Sequence, residues 1–284
     1  AQASELRYAM MARARLQQPL AKGAEDADAA RPGGDPARVA PKLFESDANL
    51  TERLQWYAPP SRPYTRRELI ADRFVNFGGA FLSWIAAPAL CIASWLAGDS
   101  LWRVAGFGAF GSGFIGMFTF SARYHYCCWD WTAKTLRPLD HMGINMMIMG
   151  SYTPPLQYVN SYVVLSLVWA LGLAGIAFEM WRMTFGRQES GTEDTRQWLD
   201  HLNIARYLLM GWAVLLIVPD VLRVFPVGLW LTMLAGGLIF TLGVPFFLWD
   251  SLEYHVAIWH SMVFLASTCF FVVQVRLVGM PTFV

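Results

Sequence analysis

Six side chains in this 284-residue chain have the types and spacing for chemistry. Ser121 and His125 are four residues apart, so a helix puts them on one face. Asp140 and His141 follow after a short polar corner, and His255 and His260 come late in the chain. Three imidazoles (His125, His255 and His260) plus one water make an open tetrahedral zinc site of the catalytic kind. Such a zinc lowers the pKa of its water to about 7 and polarises a carbonyl. Asp140 would orient or deprotonate that water and Ser121 would hold the substrate oxygen. The reaction class is hydrolysis of a lipid amide or ester. A plainer reading stands beside it. His255 and His260 would be interfacial imidazoles bonded to carboxylates such as Glu253 or Asp140. Asp140 would be a helix-start carboxylate in a favourable dipole, and Ser121 would bond its own helix backbone. His141 is read as structural and His201 as a helix-start residue.

The elements that must position these groups are membrane helices. The chain is 55% hydrophobic and only 15% charged, against about 25% charged in a soluble protein. Its mean hydropathy is positive. The charges crowd into the first 73 residues, and long uncharged runs follow. Runs of about 20 residues suit a bilayer. They predict spans at Phe74–Ala97, Trp102–His125, Asp140–Val159, Ser161–Trp181, Ile204–Leu222, Val227–Trp249 and His255–Val278. The fold class is therefore an all-α integral membrane bundle of seven helices (74–284) behind an extended N-terminal arm (1–73). Segregated polarity of this kind excludes a soluble enzyme. No basic, aromatic-interleaved patch points to nucleic acid.

Within the arm, an Ala-, Asp-, Pro- and Gly-rich linker reads as disordered, and Tyr64–Arg73 as an interfacial lead-in helix. An Ala start with a long arm also suits a protein imported into an organelle. Arg66, Arg67, Arg73, Lys134, Arg137, Arg182, Arg187 and Arg196 fall on one side of the predicted membrane, and Arg103, Arg223 and Arg276 on the other. The positive-inside rule then puts the N-terminus in the cytosol, matrix or stroma. In that topology the second, third and seventh spans bring Ser121, His125, Asp140, His141, His255 and His260 to one inner edge. Gly106, Gly108 and Gly111 match GxGxxG, but inside an apolar span they read as helix packing rather than dinucleotide binding. Gly108, Ser112 and Gly116, like Ala105, Ala109 and Gly113, repeat small residues every fourth position, which brings helix backbones close. Gly236 and Gly237 read the same way. Cys91, Cys127, Cys128 and Cys269 lack paired spacing and read as small apolar residues.

The motifs resemble one family. Ser121-Ala-Arg-Tyr-His125 is similar to the S-x-x-Y-H motif of the hemolysin III and progestin/adiponectin receptor group, which is related to the alkaline ceramidases. Leu139-Asp140-His141 followed by Gly150-Ser-Tyr-Thr-Pro154 resembles its L-D-H and G-x-Y-T-P signature. Tyr207–Trp212, Ala235–Gly243 and Ile258-Trp-His260 with Val263 resemble its fifth, sixth and seventh helices. The similarity runs from Glu68 to Val278. It implies seven helices, an inward N-terminus and a zinc held by one histidine of helix two and two of helix seven. The chain departs from the family at the last pair, which the family writes H-x-x-x-H. Here His255 and His260 are five apart, and Val256 stands at the expected ligand position. A step of four leaves two rings about 40° apart on a helix, and a step of five about 140°. A π-bulge would absorb the extra residue.

Two functions follow. The first is a zinc-dependent lipid amidase or esterase of the membrane, with lipids as its partners. The second is a non-catalytic structural subunit of a larger, organellar membrane complex, held through the N-terminal arm. Displaced His255 and the cation Arg123 within the second-span motif favour the second.

Overall fold

The computed structural model describes residues 64–126, 133–184 and 193–280. Nearly all of the predicted arm lies outside these residues, as do Cys127 and Cys128. Every element is helical, with no strand among the described residues. Among the described residues, six helical stretches are long and apolar enough to cross a membrane.

The first helix, α1 (Arg66–Leu96), is longer than predicted. The lead-in helix and the first span are one continuous element. Thr65 starts it with a reciprocal capping box: its Oγ accepts from Glu68 N–H, while its own N–H donates to Glu68 Oε2 at 2.7 Å. Such a box satisfies two donors that a helix start otherwise leaves open. Arg66 and Arg67 are exposed, whereas Glu68, Asp72 and Asn76 are almost fully buried. The buried face continues through Gly79, Ser83, Ala87, Leu90 and Ser94, a helical stripe of small and polar residues. The opposite face shows Phe74, Phe81, Trp84 and Trp95 outward, as a lipid-facing surface requires.

Helix α2 (Leu101–Tyr126) packs against α1 and, more closely, against α3 (Ala133–Tyr158). Three glycines set the second distance. A Cβ on Gly113 would lie 2.4 Å from Met146 O, one on Gly143 2.8 Å from Met117 Cα, and one on Gly150 2.6 Å from Ala109 O. Backbones therefore touch directly along the pair, the approach that small residues permit between membrane helices. Of the two predicted small-residue stripes, Ala109 and Gly113 make this contact. Gly108 has nothing within 4 Å of its would-be Cβ, and Ser112 is exposed. Gly236 closes on Cys269 and Phe270 as predicted.

Helix α4 (Tyr162–Thr184) covers α3. The predicted fifth span is broken. Helix α5 (Glu193–Gly211) ends at Gly211, a 3-10 turn covers Ala213–Ile217, and α6 (Val218–Val224) resumes. Pro219 has no N–H for a helix interior, so it sits in the first turn of α6, where none is needed. Helices α7 (Val227–Leu248) and α8 (His255–Leu277) complete the bundle and pack on one another.

At one end of the bundle Asp99, just past α1, accepts from Ser94 Oγ at 2.8 Å, Arg103 Nη1 at 3.2 Å and Gly279 N–H at 3.1 Å. Arg103 also lies 4.3 Å over the Tyr158 ring, and the Tyr158 hydroxyl donates to Leu277 O. The ends of α1, α2, α3 and α8 are joined there. The other end holds the candidate site.

Candidate active site

The site is built from α1, α2 and α8. His260, on the second turn of α8, is 9% exposed. Its Nδ1 lies 2.5 Å from Asp72 Oδ1, a spacing that requires a proton between a ring nitrogen and a carboxylate. Asn76 Nδ2 lies 3.0 Å from the same ring nitrogen, 3.2 Å from Asp72 Oδ1 and 3.1 Å from Asp72 O. When Nδ1 carries its hydrogen toward Asp72 in the neutral ring, Nε2 is an acceptor. The group facing it is the hydroxyl of Ser121, 3.5 Å away and itself buried. Asp140 is half-buried on α3.

Predicted and observed placement differ in part. Ser121 and His260 come together as the topology requires. His255 is buried beside them in sequence but turns elsewhere. Its Nε2 meets the Tyr64 hydroxyl at 3.0 Å, and the two rings stack at 5.6 Å. Helix α8 is regular from His255 onward, so the π-bulge that would align His255 with His260 is absent. The His125 side chain lies outside the described residues. Among the described residues, no three His, Cys, Asp or Glu side chains are grouped to hold a metal ion. His260 has Asp72 on Nδ1, the kind of contact a metal-ligating histidine commonly makes with its other nitrogen; His255 has Tyr64 on Nε2, and Val256 carries no donor.

A second tie lies beside the first. Tyr254, the N-cap of α8, has φ 62°, a left-handed conformation that costs a non-glycine residue about 1–3 kcal/mol. It places the Tyr254 N–H 2.8 Å from Glu68 Oε1. One carboxylate thus caps α1 with one oxygen and fixes the start of α8 with the other.

His141 is structural, as predicted. Its Nδ1 faces Glu179 Oε1 at 3.3 Å, and Asn203 Nδ2 donates to that oxygen at 2.8 Å. The Tyr207 hydroxyl donates to His141 O at 3.3 Å. His201 lies within α5 rather than at its start, and is exposed. The sequence reading missed Asp72, Asn76, Glu68 and Tyr64. Their signal is the i, i+4, i+8 spacing of Glu68, Asp72 and Asn76, which continues directly into the small residues of the packed face.

Deeper in the bundle is an apolar cavity of about 330 Å³ between α3, the broken fifth segment, α7 and α8. Met117 and Ile144 line it, one helical turn from Ser121 and Asp140 respectively. From α8 it takes Ser267, which shares a helix face with His260 two turns on, together with Phe270 and Val273.

The family profile described as "Haemolysin-III related" matches residues 75–271. The "Hemolysin-3 homolog" of Bacillus subtilis (strain 168) is 28% identical over 214 residues, covering 73% of this chain and 93% of the relative. "Hemolysin-3" of Bacillus cereus is 27% identical over 209 residues, 72% of this chain and 89% of the relative. No solved structure gives a significant match. The matched stretch spans the helices that carry Ser121, Asp140, His255 and His260, and the chain belongs to the haemolysin-III-related family of multi-pass membrane proteins.

Proposed function

We propose that this chain is a membrane-embedded hydrolase that cleaves an amide or ester of a lipid. One relationship carries the reading: the apolar cavity's lining residues Met117 and Ile144 stand one helical turn from Ser121, which faces the buried imidazole of His260, and from Asp140. The cavity's volume falls at the lower end of ligand pockets, about 300–1,000 Å³. An acyl chain lying along Phe270, Val273 and Leu156 would bring its carbonyl toward Ser121. Ionisable groups inside a membrane bundle are costly and mark sites by default. Here Asp72 is buried and faces His260.

The bundle is read as seven spans, with α3 crossing at its centre. Helix α3 has 26 residues, about 39 Å at 1.5 Å per residue. Along its length it touches α2, itself a candidate span, from Gly143 at Met117 to Gln157, whose Nε2 donates to Trp102 O at 3.0 Å. Its hydropathy is low because its neighbours are protein. Asn145, Ser151, Thr153 and Gln157 are all buried within the bundle. The surplus of arginine at the Tyr64 end favours that end facing cytosol, matrix or stroma.

The test is release of fatty acid from a panel of lipid amides and esters by the full chain in lipid nanodiscs, read by mass spectrometry. Release by the wild type, lost in a His260→Ala variant that still melts cooperatively, is the expected result. No release from any lipid overturns the hydrolase reading and favours the structural-subunit alternative.

A further inference from the structure

We infer that the apolar cavity opens sideways into the hydrocarbon of the bilayer, between the fifth segment and α7, and that the Trp212 indole bars this mouth by holding Thr241. A single lipid acyl chain enters there. The inference deepens the proposed function and rests on that reading for what becomes of the chain once inside.

Three observations lead there. The first is where the cavity wall is thin. On α3 and α8 the lining residues Met147, Leu156 and Val273 are buried. On the other side Leu215 is 61% exposed and Leu234 40%, yet both line the same cavity. A side chain that faces the cavity and the outside at once stands at a rim. One rim belongs to the fifth segment and the other to α7.

The second is how those two elements are held. The fifth segment packs on α3 and α4, and α7 packs on α8. Across the gap the Trp212 Nε1–H donates to Thr241 Oγ1 at 3.1 Å. Thr241 gives its own hydrogen to Gly237 O at 2.7 Å, which leaves a lone pair on the hydroxyl oxygen for the indole. The far edge of the ring, Cη2, lies 4.0 Å from the position a Gly237 Cβ would take. The indole thus reaches along one turn of α7, from Thr241 to Gly237, and is seated where α7 has no side chain. Its one polar tie is a neutral hydrogen bond, a closure that shifts an equilibrium by only about 2–10-fold.

The third is what lies outside the rim. Leu209, Leu216, Leu238 and Leu242 are exposed around it, and both flanking stretches are long and apolar enough to cross a membrane. The medium at the mouth is therefore lipid tails, and a chain that enters exchanges one apolar surrounding for another. The backbone break after Gly211 stands on the same rim. Irregular backbone at membrane depth persists where it lines a cavity.

The experiment uses the full chain in phosphatidylcholine nanodiscs. A long-chain fatty acid with a mid-chain diazirine is added, a flash follows after stepped delays, and adducts are mapped by peptide mass spectrometry. Ser267 and Phe270 line the cavity from α8, so their labelling against delay gives an entry rate. Leu216 is exposed on the outer face and reports contact from the bilayer. Thr241→Val keeps the shape of threonine without its acceptor, and Trp212→Phe keeps a ring without its donor. Each should raise the entry rate about 2–10-fold, the factor one net hydrogen bond is worth, with Leu216 labelling unchanged. Leu234→Trp adds bulk at the rim and should slow entry. Labelling of Leu216 without Ser267 or Phe270, in folded wild type and both latch variants, overturns the mouth. Equal entry rates in wild type and both latch variants overturn the bar at Trp212, and entry indifferent to Leu234→Trp means that the chain passes elsewhere. The readout needs no cleavage. Interior labelling with no fatty acid released from any lipid leaves the mouth standing and overturns the hydrolase reading, and release without interior labelling does the reverse.

Discussion

The Tyr152 hydroxyl donates to Gly211 O at 2.6 Å and accepts from Val214 N–H at 3.0 Å, filling the gap where the fifth segment breaks. Within a membrane no water is at hand for freed backbone groups, so a broken helix survives where other protein groups satisfy them. Tyr152→Phe removes both bonds and leaves a buried carbonyl and amide. The expected loss is about 1–3 kcal/mol for each group left unsatisfied. A lower melting temperature in detergent checks it, and local hydrogen exchange should rise at residues 211–217.

The α2–α3 contact gives a paired test on neighbouring glycines. Gly113→Ala pushes a methyl to 2.4 Å from Met146 O, and overpacking of this kind costs about 1–3 kcal/mol or more. Gly108→Ala meets nothing within 4 Å and should stabilise by about 0.5–1 kcal/mol through helix propensity alone. Thermal melts of the two single variants should shift in opposite directions. Equal shifts would mean the two helices do not touch as described.

Glu179 is fully buried with His141 and Asn203 around it. Glu179→Ala strands both partners, which for buried charged groups costs about 3–5 kcal/mol. Glu179→Gln keeps an acceptor for Asn203 and should cost less. The ranking of wild type, Gln and Ala in chemical or thermal unfolding checks the order.

Gly237 lines the cavity, with Trp212 Cη2 4.0 Å from its would-be Cβ, so a small branched side chain fits without displacing backbone. On the hydrolase reading, Gly237→Val shortens the space for an acyl chain. Cleavage of long-chain lipids should fall relative to short-chain ones, with one missing methylene position worth about 1–3 kcal/mol of discrimination. Uniform loss across chain lengths would place the substrate elsewhere.

The all-helical membrane class was legible because bilayer length and apolar runs are one-dimensional signals, whereas six of the seven predicted spans meet that measure among the described residues. Ser121 and His260 were legible because residue type and topology together put them at one edge. Asp72 was hidden by its neighbours. Arg66, Arg67 and Arg73 surround it in sequence and suggested a headgroup helix, although the helix turns Asp72 inward and Arg66 and Arg67 outward. The break after Gly211 was hidden for a different reason. Its backbone groups are satisfied by Tyr152, about sixty residues earlier in the chain, and local patterns carry no trace of such a partner. The partner of His255 was hidden likewise, since Tyr64 is 191 residues away.

The ties at both ends of α1 and α8 have a mechanical consequence. Glu68 and Tyr64 hold the start of α8, and Asp99 holds the turn after it through Gly279. Two rods pinned at head and foot cannot slide past one another by even one residue, about 1.5 Å, without breaking both pins. The distance between Asp72 and His260 is therefore locked against axial motion. The opposite wall is tied at the break itself, by Tyr152 to Gly211 and Val214 and by Trp212 Nε1 to Thr241 Oγ1. On the hydrolase reading, the groups at the α1–α8 seam stay in fixed register, and any adjustment to a long flexible guest falls to the wall where backbone continuity is already interrupted.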